Sequence, residues 1–147
     1  MFGICLYSPS KLENYGTVLR TAFNFGANFI CTINNQYKRQ KSDTVDSINQ
    51  IPCFHYKTTQ DFLNSYPKNC NLISVELTPG ARELNDFCHF KNAIYIFGGE
   101  KGSFSVPLEL TSQSVNVKLN TNKCLNLGVC AGIVMFHRQL TLNKKNY

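Results

Sequence analysis

Residues 3–33 read GICLYSPSKLENYGTVLRTAFNFGANFICTI, and the periodicity of their apolar positions changes twice. Gly3 to Tyr7 is a short continuous apolar run of strand length. Tyr15, Val18, Leu19, Ala22 and Phe23 then follow the i, i+3, i+4, i+7, i+8 spacing of one helix face, and Gly26 supplies a helix-ending residue that tolerates positive φ. Asn28 to Ile33 returns to a β-branched, aromatic strand pattern. Strand, helix and strand within about thirty residues is the unit from which parallel sheets are built, because a helix must carry the chain back to the sheet's starting edge.

The same alternation continues outward. Pro52 to Tyr56, Asn71 to Glu76, Ala93 to Phe97 and Ser114 to Leu119 read as four more strands. Thr58 or Thr59 is placed to cap a helix running to about Tyr66, Val106 to Ser112 suggests a short helix, and Leu125 to Leu142 a long terminal one. The expectation is an α/β fold: a single domain with a mostly parallel six-stranded sheet and helices on both faces. Ligands of such sheets bind beyond the carboxyl ends of the strands.

With 147 residues and 43% hydrophobic content, one sizeable core is the expectation and two ordinary domains are excluded. The formal charge of +6 favours an anionic partner, nucleic acid first. Seven cysteines include no C-x-x-C pair, which reads as small buried hydrophobes in a reducing compartment rather than a disulfide frame or zinc site. Cys88-His89 is the one place where two metal-ligand types adjoin, and its spacing does not suit zinc, so no metal is expected. The apolar start, Phe2 to Tyr7, lacks a basic flank and is too short for a signal peptide or membrane span. No membrane association and a cytoplasmic location follow as expectations.

The loops after the strands carry the chemistry. Ser8 to Glu13 has no glycine and opens on Asn14-Tyr15-Gly16-Thr17-Val18-Leu19-Arg20, where an asparagine at the helix start and an arginine almost two turns on can frame an anion-binding mouth. An N-cap and a solvated arginine explain the same residues. Phe97-Gly98-Gly99-Glu100-Lys101-Gly102-Ser103 allows backbone to approach a ligand closely, but it is not a Walker A loop, since Lys101 precedes Gly102. Cys124-Leu125-Asn126-Leu127-Gly128 places an asparagine at the start of an apolar helix, where Gly128, Ala131 and Gly132 keep one face small for close packing.

Together and in this order, the three segments resemble the motifs of the SpoU/TrmH family in the SPOUT superfamily of RNA methyltransferases. Asn14, Gly16 and Arg20 match N-x-G-x-x-x-R; Phe97, Gly98 and Glu100 match F-G-x-E; Leu125 and Asn126 match S-L-N. Phe136-His137-Arg138-Gln139 is similar to an aromatic-x-R-Q ending, so the resemblance covers essentially the whole chain. The departures are Cys124 at the serine position, Lys118 for a usual proline, and Ser103 for a usual glycine, with Gly102 adjacent to it.

The resemblance implies a SPOUT fold with a C-terminal deep trefoil knot, which neither periodicity nor composition reveals and which general topology rules disfavour. It implies S-adenosylmethionine as cofactor, contacted by Leu77, Thr78, Gly98, Gly102, Val117, Leu119, Cys124, Leu125 and Leu127. It implies methyl transfer to a ribose 2′ hydroxyl of RNA, tRNA before rRNA, by a homodimer with its active sites at the subunit interface. Arg20 is then the central catalytic residue, with Asn14 and Asn126 orienting it or the ribose and Glu100 holding the RNA-facing loop. A guanidinium keeps its proton under ordinary conditions, so two roles for Arg20 stand open: general base, and stabiliser of developing alkoxide charge. The alternative function is a non-catalytic RNA-binding module of the same fold, and a base methyltransferase is a third reading. Lys38, Arg39 and Lys41, with Lys144 and Lys145, offer phosphate contacts or simply a solvated charged surface.

Overall fold

The computed structural model describes residues 1–99 and 106–143. Its elements, in chain order, are β1 (Phe2–Tyr7), α1 (Leu12–Asn24), β2 (Phe29–Ile33), β3 (Cys53–Tyr56), α2 (Thr59–Ser65), β4 (Asn71–Val75), β5 (Arg82–Glu83), β6 (Ala93–Phe97), α3 (Leu108–Thr111), β7 (Val115–Lys118) and α4 (Leu127–Asn143). Two short 3-10 turns, Ser47–Asn49 and Leu84–Asp86, interrupt the connections. The strands form one sheet in the order β3-β2-β1-β6-β4-β7-β5, and every pairing among them is parallel.

Six of these strands are the expected ones to within a residue at their ends. The sheet has seven among the described residues, not six: β5 is only Arg82 and Glu83, paired with Val117 and Lys118 of β7. Two polar residues present no periodicity, so nothing local announces them. The terminal helix begins at Leu127 rather than Leu125, with Asn126 as its cap.

Alternation along the central strands sorts the core onto two faces. Ile4, Leu6, Tyr95 and Phe97 join Val18, Leu19 and Ala22 of α1 and Val134 and Met135 of α4 on one side. Cys5, Ile94 and Ile96 meet Phe62 and Leu63 of α2 and Leu110 of α3 on the other. Central strands buried on both faces read as continuous apolar runs, which is how β1 and β6 look in the sequence. Each fully buried Ile, Leu or Phe contributes roughly 1.5–3 kcal/mol by leaving water.

The local signals act as their chemistry requires. Gly26 adopts φ +74 just past α1. The Thr58 hydroxyl accepts from the Asp61 amide while the Asp61 carboxylate accepts from the Thr58 amide, a full capping box for α2. All seven cysteines are free, but the expectation that they are buried holds only in part: Cys5, Cys31 and Cys70 are buried and Cys130 half-buried, whereas Cys53, Cys88 and Cys124 are exposed. Those three stand in loops or at the open β3 edge, where the sheet gives no cover. Among the described residues no group of three or more potential ligands is placed to hold a metal ion, and no helix is long and apolar enough to cross a membrane.

Candidate active site

A cavity of about 360 Å³ opens where the sheet's middle strands end. Its wall takes Val75, Glu76 and Leu77 from the end of β4, Phe97, Gly98 and Gly99 from the end of β6, and Lys118 and Leu119 from the end of β7. Thr121, Cys124, Leu125, Asn126, Leu127 and Cys130 close it from the approach to α4, and Lys11 stands at the start of α1. This is the carboxyl end of a parallel sheet, where strand ends diverge into loops and leave backbone groups open to a ligand.

Of the residues singled out for cofactor contact, Leu77, Gly98, Leu119, Cys124, Leu125 and Leu127 line the cavity. Val117 does not. It is a buried core residue whose carbonyl accepts from the Glu76 amide, so it shapes the wall from behind. Thr78 also falls outside the lining, one residue beyond Leu77. Glu100 and Gly102, like Ser103, lie outside the described residues. Lys11, Glu76, Lys118, Thr121 and Cys130 are lining residues that the sequence did not suggest as contacts.

Asn126 joins the two chain halves. Its Oδ1 accepts from the Gly128 amide at 2.9 Å and the Val129 amide at 3.4 Å, capping α4, and its Nδ2 donates to Asn14 Oδ1 at 3.2 Å. Asn14 is the third residue of α1 and not its cap. Lys11 occupies the cap position without a side-chain cap bond.

Arg20 does not reach this cavity. It is exposed on α1 beside a separate hollow lined by Thr17, Thr21, Asn24, Phe25 and Ser42. The anion-binding mouth expected between Asn14 and Arg20 therefore does not form within one chain. Six residues turn a helix by about 600°, which leaves the two side chains roughly 120° apart around the axis.

The glycines of the motifs have steric reasons. A Cβ on Gly16 would sit 2.1 Å from Ser42 Oγ and 2.8 Å from the Asp43 amide nitrogen, so the residue 40–43 segment packs directly on α1. Ser42 Oγ donates to the Glu13 carbonyl at 2.7 Å and fastens that contact. A Cβ on Gly99 would lie 2.6 Å from the Ser8 carbonyl, so the loops after β1 and β6 touch through backbone. A Cβ on Gly128 would meet Thr17 Cγ2 at 2.7 Å, the close α1–α4 approach that the small residues suggested.

Electrostatically the wall mixes Lys11 and Lys118 with half-buried Glu76, whose Oε1 accepts from the Val106 amide at 3.0 Å. Burial, then Glu76 and Cys124, push the Cys130 thiol up to about 12, so it stays a neutral thiol. Arg138, in the aromatic-x-R-Q ending, is structural: it is buried over the Phe2 ring and donates to the Lys91 carbonyl at 2.8 Å.

A sequence model of the SpoU rRNA Methylase family matches residues 1–136. The chain belongs to this family. Solved structures agree on the architecture. The AdoMet-bound rRNA methyltransferase from Sinorhizobium meliloti is 22% identical with a TM-score of 0.80, covering 96% of this chain and 56% of that one. The A. aeolicus TrmH/SpoU tRNA modifying enzyme is 14% identical with a TM-score of 0.85, over 99% of this chain and 77% of its own. A structure described as giving insights into the 2-OH methylation of C/U34 on tRNA is 20% identical with a TM-score of 0.80, over 98% of this chain and 97% of its own. At these identities the likeness shows a SPOUT-type methyltransferase fold, and this SpoU-family chain spans little more than half of the Sinorhizobium protein. No curated protein matches the sequence significantly.

Proposed function

We propose that this SpoU-family protein transfers a methyl group from S-adenosylmethionine to the 2′ hydroxyl of an RNA ribose, with tRNA favoured over rRNA. The observation that carries the reading is the convergence of segments 75–77, 97–99 and 118–127 on one cavity at the sheet's carboxyl end, with Asn126 bonded to Asn14 at its margin. Relatives of the same fold include an RNA 2′-O ribose methyltransferase and two AdoMet-bound methyltransferases.

The cavity fits such a cofactor. Its volume falls in the range of small-molecule sites, its wall mixes apolar side chains with polar groups and the glycine pair Gly98–Gly99, and it offers both cationic and anionic groups to a zwitterion. Gly98, Leu119 and Leu125 to Leu127 would hold the cofactor, with Leu77 and Cys124 at the rim. When bound, it supplies a methyl group already activated by a sulfonium leaving group. Asn126 and Asn14 orient the ribose, and the cavity walls exclude water from the transfer. Arg20 contributes electrostatically to the hydroxyl as it loses its proton.

Because Arg20 lies away from the cavity of its own chain, we read the active unit as a homodimer in which one copy's Arg20 completes the other's site. The outer face of α4 suits that role: Val129, Ile133, Phe136 and Leu140 form an exposed apolar stripe, with Phe136 57% exposed. A trefoil-knotted path of the chain between β7 and α4, and a cytoplasmic location alongside the RNA, belong to the same proposal.

Calorimetric titration with S-adenosylmethionine tests it. Saturable one-site binding is expected, and Leu127→Trp, which fills the cavity, should abolish it. An intact protein that binds RNA but no S-adenosylmethionine would support the non-catalytic reading, which Lys118 on the cavity wall favours.

A further inference from the structure

A second cavity, of about 300 Å³, lies on the α1 face of the sheet at the β2–β3 edge. It shares no residue with the first, and the two walls meet on neighbouring strands, where Leu6 of this cavity is the β1 partner of Phe97 of the other. We infer that it is a pocket for an unstacked nucleobase of the RNA substrate, an inference that rests on the RNA-methylating reading above.

The wall suits a base rather than a purely apolar guest. Buried Leu6, Leu19 and Ile30 line it beside the equally buried Thr32, and Gln36 and His55 bring further polar atoms to the wall. His55 Nδ1 is bonded to Thr32 Oγ1 at 2.9 Å, which fixes the imidazole and leaves Nε2 without a partner among the described residues. A flat heteroaromatic ring with donors and acceptors on its edge matches a mostly apolar wall that carries a few placed polar atoms.

The wall is also the start of a loop that holds three basic residues within four positions, Lys38, Arg39 and Lys41. Tyr37 packs edge-on to Tyr15, 5.6 Å between centroids and 84° between planes, and its hydroxyl accepts from the Gln40 amide at 3.0 Å. Gln40 Nε2 in turn donates to the Lys38 carbonyl. The Lys38–Gln40 turn is thereby pinned over the pocket wall, and it carries Lys38, Arg39 and, next to it, Lys41. Arg39 pairs with Asp46 at 3.2 Å; the other anion nearby, Asp43, is buried and turned inward to the Ser47 and Ile48 amides. The field around the mouth is cationic, which suits a base whose flanking phosphates must come with it. The same segment rests on Gly16 through Ser42, so a base seated here bears on the helix that carries Asn14 and Arg20.

The test uses the full chain, Cys53→Trp at the exposed mouth, and copies of the methylated RNA each lacking one base. One abasic position should weaken binding to the wild type about tenfold, the usual worth of a stacked base. The same position should cost the Cys53→Trp protein nothing further, because both changes remove one interaction. S-adenosylmethionine binding should be unchanged in the variant. If Cys53→Trp melts early, Gln36→Ala with His55→Ala replaces it. Equal losses from every abasic copy in both proteins, with methyl transfer intact, would overturn the pocket alone. A wild type that neither binds S-adenosylmethionine nor methylates RNA would overturn the reading beneath it.

Discussion

Asn126 shows a helix cap and a site residue coinciding in one side chain: its oxygen satisfies two orphan amides of α4 while its nitrogen reaches Asn14 across 112 positions of sequence. Gly16 and Gly99 work in the opposite sense, by what they lack, letting the 40–43 segment and the Ser8 loop close on the motif backbone. Arg20 stands apart from both. It lines no part of the cavity proposed for the cofactor, so Arg20→Ala is expected to leave S-adenosylmethionine affinity within about twofold while lowering turnover by a hundredfold or more, the usual cost of one preorganised charge-stabilising group. Single-turnover kinetics beside calorimetry checks this, and retained turnover would remove Arg20 from the chemistry. These residues were legible because motif spacing survives in one dimension. Lys11, Glu76 and Cys130 were not, since only folding brings them to the wall, and Thr78 and Val117 fall outside the lining because spacing does not say which way a strand-end side chain turns.

Helices α1 and α4 meet where Gly128 faces Thr17, so the pair is set by one missing methyl group. Gly128→Ala gains roughly 1 kcal/mol of helix propensity, but the new Cβ lies 2.7 Å from Thr17 Cγ2, and overpacking costs about 1–3 kcal/mol. A net loss of stability is expected, with Thr17→Ser, which deletes the clashing methyl, turning it into a gain; urea unfolding of both proteins checks the sign. Helix α4 is also tied to β6 through His89, which is bonded to the Tyr95 hydroxyl and to His137 Nδ1 at 2.9 Å. Burial, then His137 and Arg138, lower the His89 imidazole from 6.5 to about 4. The unfolded chain therefore binds more protons between those values, and stability falls as pH drops from about 6.5 towards 4. Thermal melts across that range should show the fall, with a shallower slope for His89→Asn. The elements themselves were largely readable: β6 follows from its apolar run, and a cap for α2 from the Thr58-Thr59 pair, of which the structure uses Thr58. Strand β5 was not, because Arg82 and Glu83 are strand only by leaning on β7.

For the whole molecule, the sequence indicated a parallel α/β sheet through its alternating runs, but not the strand order, which depends on crossovers that no local pattern encodes. The exposed stripe Val129, Ile133, Phe136 and Leu140 has its consequence at this scale. Ile133→Glu with Phe136→Glu should yield a folded monomer by sedimentation velocity, with methyl transfer lost and S-adenosylmethionine binding retained, because the cavity is built from one chain and the proposed dimer takes Arg20 from the other copy. A fully active monomer would break that link. The central claim, that the cavity serves methyl transfer to ribose, is tested most directly by incubating the protein with isotopically labelled S-adenosylmethionine and total RNA, then mapping the label by nucleoside mass spectrometry. The prediction is a labelled 2′-O-methyl nucleoside at a defined position of one RNA, tRNA first; label on a base, or no label in any RNA from a protein that binds the cofactor, would contradict it.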